Sequence, residues 1–348
     1  MDIKYVCCGL LGLLMLAGCD DSASPANVAK PLVLEGKTMG TFWRVSVAGV
    51  DAGRAEELRQ KVQAQLDADD RLLSTYKADS ALSRFNQSRS TDPWPVSEAM
   101  SDVVTEALRI GAKTDGAMDV TVGPLVNLWG FGPDKQPVTP PSEAQIAAAR
   151  AKTGLQHLKV INAAGQQWLQ KDLPDMYIDL STMGEGYAAD HLARLMTQQG
   201  ISRYLVSVGG AVVTRGLNAE GKPWRVAIQK PTDRENAVQA IVDLNGHGIS
   251  TAGSYRNYYE LDGKRLSHVI DPATGHPIQH KLVSATVIAP TALEADGWDT
   301  GLMVLGTEKA RQVAEKEGLA VYLITKEGDG FSVWMSPQFK TFLAGERN

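Results

Sequence analysis

The chain has 348 residues, of which 43% are hydrophobic and 22% charged, with a net charge of −5. That length holds one large domain or two small ones, and the composition is that of a folded globular protein rather than a disordered one. The acidic balance argues against a nucleic-acid partner, which needs a basic surface; spread along the chain without an acidic tail, it mainly favours solubility.

Lys4 precedes an apolar run from Val6 to Ala17, which ends in Leu16-Ala17-Gly18-Cys19. A membrane-spanning helix needs roughly 20 apolar residues, so the run is too short and fits the core of a signal peptide over 1–18. Small residues before Cys19 resemble the lipobox of bacterial lipoproteins, in which Cys19 would be lipidated (a palmitate-type anchor) and become the mature N-terminus. Asp20 resembles the signal that keeps such lipoproteins in the inner membrane, facing the periplasm. An ordinary signal peptide cut elsewhere, or a short anchor, is the alternative reading. Cys7 and Cys8 would leave with the signal, so the mature domain has no thiol for a disulfide even in an oxidising compartment. Residues 19–31 lack periodicity and read as a flexible tether, which leaves 32–345 as the body.

Along the body, Thr41–Val47 alternates as a strand does, and Leu58, Val62, Leu66 and Leu73 mark one face of a helix from about Arg54. Helices follow over Ser97–Lys113, Ser142–Lys152 and Gly184–Gln199. Strand patterns then dominate: Arg203–Val208, Trp224–Gln229, Val238–Leu244, Tyr255–Leu261, Leu266–Ile270 and Leu282–Ile288. Thr291–Leu305 and Glu308–Glu317 return to helical spacing before a last strand, Ala320–Thr325. Short turns such as Asp262-Gly263 imply hairpins, so the class is α+β with largely antiparallel sheets, as one two-lobed unit without internal repeats.

Common catalytic signatures are missing. Gly216–Lys222 has phosphate-loop spacing, but Pro223 stands where Ser or Thr is required and a strand pattern follows instead of a helix. No GxGxxG follows a strand, and neither HExxH nor GxSxG occurs. The six histidines (157, 191, 247, 268, 276 and 280) show no metal-ligand spacing on one helix.

Several weaker constellations remain. Asp296 and Thr300 lie four apart on one helical face, oxygen ligands suited to a hard cation, although acidic residues near a helix start also answer its dipole. Thr291 and Glu294 form a capping box ahead of them. Thr114–Asp119 ends a helix in a Gly turn where a ligand can approach the backbone, or is simply a turn. Asp179–Tyr187 joins a strand to a helix start, where amides attract phosphate, though Ser181 or Thr182 could equally be plain N-caps. Ile249–Ser254 is an anion nest or a polar loop between strands. His268 falls on the strand face of Leu266 and Ile270, as a proton-transfer group or as a hydrogen-bonded core histidine.

Taken in order, Met39-Gly40-Thr41, Leu73–Tyr76, Asp115–Asp119, Asp179–Asp190, Ser207–Gly210, Ile249–Ser254, Ser267–Gly275 and Asp296–Thr300 resemble the FAD:protein FMN transferase family, also called the ApbE family. The resemblance spans about Leu34 to Met335. It implies an ApbE-type, T-fold-like architecture and an FAD substrate whose pyrophosphate is bridged by Mg²⁺. By motif, Thr182, Asp296 and Thr300 would hold the Mg²⁺. Tyr76 would lie against the flavin ring. Met39, Ala117, Met118, Asp119, Asp179, Glu185 and Ile270 would line the rest of the site, and His268 would be the catalytic histidine. Many members carry lysine in place of Glu185 and an acidic residue in place of Ala211. The implied reaction moves FMN to a Thr or Ser hydroxyl of a periplasm-exposed flavoprotein subunit of a membrane redox complex, with release of AMP. A non-catalytic FAD-binding lipoprotein and an Mg²⁺-dependent FAD pyrophosphatase are the rivals.

Overall fold

The computed structural model describes residues 30–232, 238–255 and 257–345; the expected signal peptide, Cys19 and all but the last two residues of the tether lie outside them. An eight-stranded sheet is assembled from β1 (Leu32–Thr38), β2 (Thr41–Val47), β3 (Tyr204–Val208), β4 (Ala211–Arg215), β5 (Gly248–Gly253), β6 (Leu282–Ala289), β7 (Ala320–Glu327) and β8 (Gly330–Met335). The strands lie side by side in chain order, and every adjacent pair is antiparallel. Each half of the sheet follows one plan of two strands, helices, two strands. The long helices of the first half are α1 (Ala55–Leu73), α2 (Glu98–Lys113) and α3 (Ser181–Gln198); those of the second are α4 (Ala292–Leu305) and α5 (Thr307–Glu317). The α+β, largely antiparallel class is as expected. The repeated plan lies in the strand pairing, which the sequence alone does not display.

All the helices that matter to the site pack on one sheet face. Trp43, Val45 and Val206 meet Leu58, Val62 and Leu66 of α1 and Leu192 of α3. Ala285, Val287, Val321 and Leu323 meet Trp298 and Leu302 of α4 and Ile110 of α2. The next residues of the same strands, Ile288, Tyr322 and Ile324, turn to the opposite face and pack on Ile228 and Val242. Burial on both faces explains why β6 and β7 read as continuous apolar runs. Ile228 and Val242 belong to the hairpin Arg225–Gln229/Val238–Asp243. A second hairpin, Tyr258–Leu261/Lys264–Ser267, closes through Asp262 and Gly263 at φ 50° and 71°, the primed turn its sequence predicts.

Four local expectations are corrected. Ile249–Ser254 is no loop: residues 248–253 form β5, central in the sheet. Its small residues have a packing cause, since a Cβ on Gly248 would lie 2.6 Å from the Ala292 Cα at the start of α4. The helix expected from Gly184 begins at Ser181, and neither Ser181 nor Thr182 caps it; Leu180 holds that position. No strand precedes it either. Residues 176–180 are instead pinned by Asn86, whose side-chain amide donates to Ile178 O and accepts from Ile178 N, both at 2.8 Å. His268 does not share a strand face with Leu266 and Ile270, because the strand ends at Ser267 and a separate pairing starts at Ile270.

Candidate active site

Helices α3 and α4 run antiparallel and touch through a set of rungs four residues apart. At the first rung the Asp190 carboxylate of α3 accepts from Ala292 N and Leu293 N, both at 2.9 Å, at the start of α4. At the second the direction reverses: Asp296 Oδ2 of α4 accepts from Gly186 N of α3 at 2.8 Å. Gly186 permits this approach, because a Cβ there would sit 2.7 Å from the Asp296 Cβ and overlap the Ala292 carbonyl. Four residues further on each helix, the same spacing brings Thr182 and Thr300 to the place of a third rung, and both line the cleft. That rung is open: the Thr182 Oγ1 is buried without a hydrogen-bond partner, and so is Asp299 Oδ2 beside it. Thr300 Oγ1 donates to Asp299 Oδ1 at 3.2 Å, and Ser250 Oγ of β5 donates to Asp296 Oδ1 at 3.0 Å.

Thr182, Glu185, Asp296, Asp299 and Thr300 line one end of a cleft of about 1250 Å³. Burial, then the nearby Glu185 charge, pushes the Asp296 carboxyl well above the usual range; burial, then Asp296, does the same for Asp299. Burial also raises Glu185, against the pull of its bond from Gly210 N at 2.9 Å. Two buried carboxylates, Asp296 and Asp299, beside the half-buried Glu185 are costly as anions unless positive charge is brought to them. Orphaned oxygens, clustered acids and hydroxyls fit a hard divalent cation such as Mg²⁺. Among the described residues no three His, Cys, Asp or Glu side chains are grouped to hold a metal by themselves. Hydroxyl groups and ligand oxygens would therefore share the coordination, which is how Mg²⁺ is usually bound with phosphates.

The cleft continues past segments anchored by short polar clasps. Asp179 N donates to Val120 O at 2.9 Å, and Asp179 Oδ1 accepts from Ser181 N and Ser181 Oγ. Met118 N bonds Thr114 Oγ1 at 3.1 Å; Asp119 Oδ1 accepts from Thr121 N and Oγ1, while burial raises its carboxyl. Ala117, Met118, Asp119, Asp179 and Ile270 all face the cavity. Tyr76 lines the cleft and is 68% exposed, yet its hydroxyl is tied to Phe131 O at 3.1 Å. A held aromatic ring with a free face suits stacking.

His268 lies in the same wall. Its Nδ1 sits 2.9 Å from Asn257 O; a carbonyl only accepts, so Nδ1 carries the proton and Nε2 is left as the acceptor. Burial lowers its pKa below the ordinary imidazole value of 6.5. The imidazole is thus held neutral, oriented and able to take a proton.

Eleven of the twelve residues expected in the body's site converge on this cleft. Met39 does not line it: it turns at φ 50° and packs against the cluster of Trp43 and Leu192, while Lys37, Thr41 and Phe42 beside it face the cavity. Of the expected capping box the structure has the Thr291 half, whose Oγ1 accepts from Glu294 N at 3.1 Å. Sequence reasoning missed Asp299 and Ser250. Asp299 was findable, since i, i+3 spacing from Asp296 places it on the neighbouring face.

A family model described as the ApbE family matches residues 39–323. The chain belongs to the ApbE family. It is 75% identical over 350 residues to a Klebsiella pneumoniae protein named FAD:protein FMN transferase, with full coverage of both chains. It is 72% identical to an Escherichia coli K12 protein of the same name, again with full coverage of both. Among solved structures it is similar to the flavin transferase ApbE from Vibrio cholerae, at TM-score 0.82 and 43% identity over 90% of this chain and 99% of that one. The apo form of Pseudomonas stutzeri flavinyl transferase ApbE matches with TM-score 0.81 and 39% identity, covering 91% and 98%. The named relatives match this chain over its full length, and the solved structures share its fold.

Proposed function

We propose that this chain transfers FMN from FAD to a threonine or serine hydroxyl of a target flavoprotein, with Mg²⁺ held at the open rung and AMP released. The observation that carries the reading is the junction, in one cleft, of unpartnered oxygens at Thr182 and Asp299, a fixed aromatic ring at Tyr76 and a neutral, oriented His268. The relatives' name, FAD:protein FMN transferase, supports the same chemistry. Thr182, Asp296 and Thr300, with Asp299, would hold the cation, which when bound supplies positive charge to the pyrophosphate oxygens. Met118, Asp119, Asp179 and Ile270 would fix the flavin end against Tyr76. The acceptor oxygen forms a bond to the flavin-side phosphorus as that phosphorus loses its bond to the bridging oxygen, which departs with AMP. His268 Nε2 takes the proton of the incoming hydroxyl, a contribution of about 10²–10⁴-fold.

Lipidation at Cys19 would place the body at the periplasmic side of the inner membrane, beside redox complexes whose flavoprotein subunits are the acceptors. Among the described residues no helix is long and apolar enough to cross a membrane. The test is incubation with FAD, MgCl₂ and an acceptor domain, followed by intact mass spectrometry and nucleotide chromatography. Covalent FMN on the acceptor with equimolar AMP is expected. FMN and AMP without an acceptor would favour a pyrophosphatase, and bound but unaltered FAD a carrier.

A further inference from the structure

Asp190 lies eight residues beyond Thr182 on α3, about 12 Å along the helix at 1.5 Å per residue, and does not line the catalytic cleft. Its two oxygens nevertheless make the most direct link between the helices that carry the open rung, each accepting one free amide at the start of α4. Those amides have no partner within their own helix, so the carboxylate fixes both the position and the axial register of α4. The second rung cannot set the register alone, because Asp296 Oδ2 meets a single amide. Sliding or tilting α4 would therefore be felt first where nothing ties the helices together, between Thr182 and Thr300.

We propose that Asp190 is a positioning residue: its grip on the first amides of α4 sets the separation of Thr182 from Asp296 and Thr300, and with it the affinity of the open rung for a divalent cation. The inference rests on the cation reading given above. Residues that orient metal ligands from one step away typically cost about 10–100-fold in metal affinity when removed.

The experiment titrates FAD-loaded protein with MnCl₂, following free Mn²⁺ by electron paramagnetic resonance, in parallel with thermal unfolding. Asp190→Ala should raise the Mn²⁺ dissociation constant by at least about tenfold, and Asp190→Asn, which keeps one acceptor oxygen, should recover part of that loss. Thr291→Ala is the control: it removes the hydroxyl cap of the same helix end, so it should lower the melting temperature yet keep the wild-type Mn²⁺ constant. An unchanged constant in Asp190→Ala, or equal weakening in Asp190→Ala and Thr291→Ala, overturns the inference while leaving the proposed reaction intact. A wild-type protein that binds no Mn²⁺ removes the cation reading and this inference together.

Discussion

Replacing Gly186 by alanine sets two helix effects against each other, and the structure decides which wins. Alanine is intrinsically the better helix former by about 1 kcal/mol. At Gly186 the added methyl would overlap the Ala292 carbonyl and lie 2.7 Å from the Asp296 Cβ, both parts of a helix that cannot yield by rotating a side chain. Overpacking costs about 1–3 kcal/mol. Forcing the helices apart also weakens the bond from Gly186 N to Asp296, and leaving a buried donor or acceptor unsatisfied costs about 1–3 kcal/mol. The net expectation is a destabilisation of about 3 kcal/mol, or roughly 5 °C or more in melting temperature. Gly184, two residues earlier in the same helix, has nothing within 4 Å of its Cβ position. There the propensity gain stands alone, and Gly184→Ala should stabilise by up to about 1 kcal/mol. Urea and thermal unfolding followed by circular dichroism measure both. Shifts of the same sign in the two variants would refute the claim that close helix contact at Gly186 governs this junction.

Thr182→Val removes a buried hydroxyl that has no partner, so the melting temperature should hold or rise, while the apparent Mg²⁺ constant for flavin transfer worsens about tenfold or more; unfolding and Mg²⁺-dependent rates together check this. His268→Ala should lower the transfer rate by about 10²–10⁴-fold with FAD affinity, read from flavin fluorescence quenching, unchanged. In the wild type the base is the neutral imidazole, and burial lowers its pKa. Activity should therefore persist below pH 6.5 and fall only as acid protonates His268, giving an acid limb centred below the ordinary imidazole value; a limb centred above it would contradict the assignment. Tyr76→Ala should weaken FAD binding by roughly 2–12-fold, the equivalent of about 0.5–1.5 kcal/mol of ring stacking, as titration calorimetry would report.

The long elements were legible because burial leaves a period in the residues. Leu58, Val62 and Leu66 are each fully buried on one face of α1, and β6 and β7 are apolar enough to identify without a partner in view. What escaped was what only the assembled fold can specify. Strand β5 is built from Gly, Ser, Thr and Ala because α4 lies against it, and that composition in isolation resembles a loop. Thr182 carries the features of an N-cap, but Asp179 already engages the hydroxyl and amide of Ser181, which leaves the threonine oxygen for the cleft. His268 lines the cleft, but not by the strand alternation expected of it, since a two-residue break in pairing cannot be told from alternation by its residues. Ser250 acquires its role only from the packing of α4 over the sheet.

The two matched halves of the eight-stranded sheet complete the acidic end of the cleft between them. Each half contributes one of the two helices that meet at the open rung, so neither carries the whole cluster of acids and hydroxyls by itself. Thr182 and Glu185 come from the first half and Asp296, Asp299 and Thr300 from the second, so any shift of one half against the other is a change inside the site itself.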